Sequence, residues 1–228
     1  MLLTSALILA GSVAVPFRSL EEFQVWLANY YRKPQPELAL PALPFVDREL
    51  GRLWGGSLAF ETQRGGMRTA YAKIFEKNPA LVREIDSTYP TWPESQRLFV
   101  KEALGRCAAD LCRMAMGGTT PPSRGPADTA SGALDDSVAA FLVTGDERYI
   151  REVIDVLHWS ELADDVRRRQ VGEAAWYILT TNAHQHGRVL AVCEKVAAEV
   201  GAPTRAMLDQ IVALARSHRA QYPPPELQ

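Results

Sequence analysis

Alternation of apolar and polar side chains, the signature of half-buried strands, is nearly absent from this 228-residue chain, and with it the expectation of a β-sheet. No apolar run reaches the roughly 18 residues that a bilayer-spanning helix needs. Charge of one sign is also lacking. Lysine and arginine total 25 against 27 acidic residues, so the net charge is −2 and no broad positive field invites a nucleic acid. Cysteine is scarce and odd in number, at three, which excludes a complete disulfide framework. Walker loops, nucleophile elbows and GxGxxG turns are missing, and Gly55-Gly56 and Gly65-Gly66 do not follow strands.

What remains is an apolar content of 47%, enough for a sizeable core, arranged at three- and four-residue steps. Ser19 is placed to cap a helix carrying Leu20, Phe23, Trp26, Leu27 and Tyr30, ended by Pro34 and Pro36. Residues 37–46 hold two prolines and read as a broken helix or ordered loop. Leu50 to Lys77 reads as helical on either side of a break at Gly65-Gly66, because each glycine costs roughly 1 kcal/mol against alanine. Asn78-Pro79 opens a short helix, and a longer one from Glu94 to about Met116 places Leu98, Leu104, Leu111 and Met114 on its apolar side. In the second half the expected helices are Leu134–Val143, Glu147–Leu157 capped by Asp146, Ser160–His184, one around Val189–Val200, and a last one opened by Ala202 or Thr204. Short turns between such helices give antiparallel hairpins, so the expected fold is all-α, an irregular α–α array or bundle without a fixed repeat.

The expected organisation is an apolar segment over 1–14, a helical half over 15–116, a Gly/Pro-rich loop over 117–132 and a second half over 133–222. Residues 1–14 read as a secretory signal, with Ser12 and Ala14 the small residues before cleavage at Val15, against the alternative of a buried N-terminal helix. A periplasmic or secreted location follows from the first reading and a cytoplasmic one from the second. Ser12 stands where a lipoprotein would carry its lipidated cysteine, so no lipid anchor is expected.

Phe23-Gln24-Val25-Trp26-Leu27-Ala28-Asn29-Tyr30-Tyr31-Arg32-Lys33-Pro34-Gln35-Pro36 resembles the opening WLxxYYxxPxP pattern of a group of uncharacterised proteobacterial helical proteins, several with export signals. Asn78-Pro79, the run from Phe141 to Ile150 and the run from Ala174 to His184 fit the same group in order. The likeness spans roughly residues 20–200 and departs at Val138 and Leu142, where bulkier aromatics are expected. It implies a helical fold and assigns no functional residue.

The chemically suggestive residues have plainer accounts. His184 and His186 are two apart, which turns them about 200° from one another on a helix, so a metal pair is not expected. His158-Trp159 lies at a helix end, and Cys193 lies on an apolar stripe that buries it. Cys107 and Cys112 are five apart, about 140° around one helix, and are expected to stay as free thiols. Asp135-Asp136 reads as a helix cap, and Asp164-Asp165 with Arg167-Arg168-Arg169 as a neutralised solvated face. The aromatics Trp26, Tyr30, Tyr31, Trp54, Trp92, Trp159, Trp176 and Tyr177 read as core, with Tyr30-Tyr31 alternatively lining a peptide groove. No catalytic, cofactor-binding or metal residue is assigned. The function expected is therefore a non-enzymatic interaction protein of adaptor or immunity type, with another protein as partner. The alternative is an enzyme or small-ligand-binding protein whose site draws on His184, Asn182, Glu173 and Asp146 from several helices.

Overall fold

A computed structural model describes residues 16–54, 58–115 and 131–222. The expectations for residues 1–14 and for most of the Gly/Pro-rich loop lie outside these. The described residues form eleven α-helices and no strand, so the fold is all-α. None of these helices is long and apolar enough to cross a membrane.

Helix α1 (Leu20–Ala28) starts where Ser19 Oγ accepts the Glu22 N–H, and Glu22 accepts in turn from the Arg18 N–H. It stops short of the prolines, where Asn29 turns its side-chain amide back onto the Val25 carbonyl. After a 3₁₀ turn at Pro36–Leu38, α2 (Leu43–Trp54) begins earlier than the prolines suggested, because Pro44 sits in its first turn, where no helical N–H is missed.

Helix α3 (Leu58–Lys77) runs straight through Gly65-Gly66 instead of breaking there. The reason is its chief neighbour, α7 (Ser131–Thr144). A Cβ on Gly65 would stand 3.7 Å from Asp136 Oδ1, and one on Gly66 would stand 3.5 Å from the Asp135 carbonyl oxygen. The glycines let two helix backbones meet closely, and packing offsets their poor helix propensity.

Asn78 precedes α4 (Pro79–Thr88) without capping it, since its amide donates to the Ile74 carbonyl and to the Tyr30 hydroxyl. The single helix expected over 94–116 is two: α5 (Glu94–Arg106) and α6 (Asp110–Ala115). Cys107 leaves the helix in an extended conformation, which frees it to form a disulfide with Cys112. The expectation of free thiols fails here because it assumed one unbroken helix. Leu98 and Met114, two of the apolar positions of the expected helix, are 47% and 73% exposed.

Helix α7 begins at Ser131, inside the stretch read as loop, and ends at Gly145, whose φ of 69° closes the last turn with an N–H to the Phe141 carbonyl. Tyr31 covers this glycine and donates its backbone N–H to the Leu142 carbonyl, tying the end of α1 to α7. Helix α8 (Arg148–Asp155) starts one residue later than expected, with Glu147 at the N-cap position and Asp146 accepting the Arg148 N–H just outside it, and Tyr149, Ile150, Val153, Ile154 and Leu157 are all buried. A 3₁₀ turn, Leu157–Glu161, then delays α9 (Val166–Gln185), which Asp165 caps at the Arg168 N–H. Helices α10 (Gly187–Glu199) and α11 (Thr204–Gln221) complete the chain.

Two apolar clusters result, one built mainly from α1–α6 and one from α7–α11. Helix α7 belongs to both: Val143 packs into the first, while Leu134, Val138 and Phe141 pack into the second.

Candidate functional site

Between the two halves lies a half-open groove of about 1290 Å³. Its floor is α7, through Val138, Ala139 and Leu142, with Gly66 of α3 beside them. One wall is α1 and the start of α2, presenting Gln24, Asn29 and Tyr31 among others. The opposite wall is made where the C-terminus of α9, the N-terminus of α10 and the end of α11 meet, and it carries Asn182, His184, His186, His218 and Arg219.

Of the four residues named from sequence for a shared site, Asn182 and His184 line this groove. The other two stand apart. Glu173 is exposed and pairs with Arg169, and Asp146 is exposed and serves α8. Tyr31 lines the groove, whereas Tyr30 is buried at 1% exposure beneath it.

His184 and His186 do point to different neighbours. The His184 ring stacks on His218, with centroids 4.5 Å apart and planes within 5°, and the His218 ring in turn meets Tyr222. Among the described residues no group of three or more His, Cys, Asp or Glu converges as a metal site would require. Burial and the adjoining His218 hold His184 below the usual histidine range. Burial, with the Arg219 guanidinium, pushes His186 down to about 4. Both rings are therefore neutral near pH 7.

The Asp135-Asp136 pair is not a cap, because α7 starts at Ser131 and places both in the second turn. The Thr69 hydroxyl donates to Asp136 Oδ1 at 2.7 Å, and Arg106 Nη1 donates to Asp136 Oδ2 at 2.6 Å and to Thr69 Oγ1 at 2.9 Å. Asp135 lines the groove instead, where burial and the neighbouring Asp136 push its carboxyl up to about 6. Asp135, His218 and Arg219 also line the groove and carry no distinct mark of it in the sequence. The only signal for the last two was their place on one side of a long amphipathic helix, next to Tyr222.

The other candidates stay where packing puts them. Cys193 is fully buried, and burial pushes its thiol up to about 12, far from a reactive thiolate. His158 is exposed beside Trp159, and Arg168 and Arg169 pair with Asp165 and Glu173 on the solvated side of α9. Tyr177 is 68% exposed and is not core.

The depressed His186 value has a testable consequence for stability. Unfolded, His186 takes a proton as pH falls through its ordinary 6.5, whereas the folded protein resists until about 4. Its contribution is thus complete above 6.5 and lost between 6.5 and 4, by at most about 3.5 kcal/mol at about 1.4 kcal/mol per pH unit. Asp135 acts in the opposite sense, because its folded value lies above the ordinary 3.8: its contribution is complete below 3.8 and lost as pH rises to about 6. The His186→Gln variant, followed by thermal melts from pH 7 to pH 4, should gain on the parent protein as the pH falls. A Tm difference that stays constant over that range would show that His186 is not held neutral.

Comparison with family models, with curated proteins and with solved structures found no match.

Proposed function

We propose that this protein is a non-enzymatic binding protein that receives a segment of another protein in the groove between its helical halves. The observation that carries this reading is the groove itself. At about 1290 Å³ it exceeds the roughly 300–1,000 Å³ usual for small-molecule sites, and it is about half open to solvent. An extended segment fills such a slot better than a compact metabolite does. Its walls also have the mixed character that main chain prefers, with the amide of Gln24 beside an apolar floor. An adaptor or immunity role belongs to the same class. The Cys107–Cys112 bridge supports export, since such bonds persist in oxidising compartments.

A second reading, an enzyme acting on a small molecule, is favoured by one observation. Asp135, with its carboxyl at about 6, lines the groove, and a carboxyl poised near neutrality suits proton transfer.

Photo-crosslinking in the native host separates the two readings. A crosslinking residue placed at Gln24 or Ala191, on opposite walls, should trap one and the same protein, whereas the same residue at Arg167 on the outer face of α9 should not. Adding Ala139→Trp to fill the floor should abolish the adduct. Equal adducts from all three positions, or none from the groove positions, would rule out the groove as the binding surface.

A further inference from the structure

We infer that Arg219 anchors a carboxylate subsite at one end of the groove, which takes the free carboxy terminus of the bound protein segment; this rests on the groove reading above. Arg219 is half-buried on α11 and lines the groove. One of its five N–H donors is committed, Nη1 to the His184 carbonyl at 3.0 Å. Nη2 lies 3.3 Å from where a Cβ on Gly187 would stand, so the guanidinium rests close against the first residue of α10, and a side chain there would shift it by a few tenths of an ångström. Among the described residues no carboxylate pairs with it. That sets it apart from the other arginine on the same wall, because Arg188 has Glu147 at 2.9 Å, a carboxylate that it shares with Lys195. Holding a guanidinium partly out of water with no anion is costly, and the cost is recovered when a ligand brings one.

The unmatched guanidinium selects the ligand. His184 and His186 are neutral near pH 7, and among the described residues lining this end Arg219 is the guanidinium with no carboxylate beside it. The groups facing it are His184, His186, His218, Tyr222 and the Arg188–Glu147 pair. A monoanion balances that charge, and a planar carboxylate accepts two parallel N–H bonds from one guanidinium edge. A dianion would leave unmatched negative charge beside the carbonyl end of α9. Asp135, without an ion-pair partner among the described residues, sits in the α7 floor and disfavours a second carboxylate there. The segment is therefore oriented, with its carboxy end at α11 and its preceding residues running over α7.

The test uses the full chain and two immobilised pools of randomised hexapeptides, one with free carboxy termini and one amidated. The parent protein should retain the free-acid pool, and amidation should reduce retention by about 10- to 100-fold, the worth of a charge-assisted pair. Arg219→Gln should cause the same loss with an unchanged melting curve for the fold. Arg219→Lys, which keeps the charge without the fork, should fall between. A pool of internal Asp or Glu peptides with amidated ends should bind no better than the neutral amidated pool. Equal retention of free-acid and amidated pools, both lost on adding Ala139→Trp, would overturn the carboxylate subsite and leave the groove standing. No retention of either pool would overturn both.

Discussion

Gly172→Ala should destabilise the protein by about 3 kcal/mol or more, the upper end of what overpacking a core costs. Gly172 lies on the inner face of α9, where a Cβ would stand 2.1 Å from the Ser160 backbone nitrogen, 2.7 Å from the Trp159 carbonyl carbon and 2.8 Å from the Ser160 Cα. Side-chain atoms could rotate away from such contacts, but backbone atoms cannot. Relief requires the 3₁₀ turn Leu157–Glu161 to move bodily, and that turn is pinned by the fully buried Leu157 and by Ser160, whose hydroxyl bonds to the Leu157 carbonyl. Displacing α9 would also carry Asn182 and His184 out of the groove wall. Gly132→Ala is the matched control: its Cβ meets nothing within 4 Å, so it should be neutral or stabilising. Denaturant unfolding measures both. A Gly172→Ala loss below about 1 kcal/mol would mean that the turn yields easily and the close packing does not constrain α9.

Asp136→Ala should cost about 2–3 kcal/mol. Asp136 is 8% exposed and accepts from both Thr69 and Arg106, so it links α7 to α3 and α5 where the two halves meet. Removing it strands a buried hydroxyl and a guanidinium. Breaking a buried pair costs about 3–5 kcal/mol, less here because the Arg106 side chain is 35% exposed and reaches water. A double-mutant cycle with Arg106→Leu should show coupling of at least about 1 kcal/mol. Asp136→Asn adds a second readout. It removes the negative charge that helps hold Asp135 up, so Asp135 should titrate below its parent value of about 6 in carboxyl-resolved NMR. Additive mutations, together with an unmoved Asp135 titration, would exclude the network as drawn.

The helical class was legible in the sequence because the three- and four-residue rhythm of Tyr149, Ile150, Val153, Ile154 and Leu157 depends only on local geometry. The same reasoning failed where a distant partner decided the outcome. Gly65-Gly66 looks like a break until α7 is known to lie against it, and Cys107 and Cys112 look divergent until the helix is seen to stop at Arg106. The site was half-legible for a related reason. Asn182 and His184 stood out as polar residues at the end of an apolar helix. Arg219 and His218 did not, because on a helix with an ordinary polar face nothing local marks which residues another element will enclose. Asp135 was misread by its neighbour's company, since a pair of aspartates near a predicted helix start resembles a cap.

Because α7 serves as a packing surface for both apolar clusters, it acts as a common rod to which the two lips of the groove are fixed. If the spacing of those lips is fixed on folding, the proposed guest would find the slot already formed. Its affinity would then draw on its own contacts with few losses to reshaping the host. The corollary is poor tolerance: a rigid slot accepts sequences that match its depth and charge, and it cannot remodel itself for those that do not.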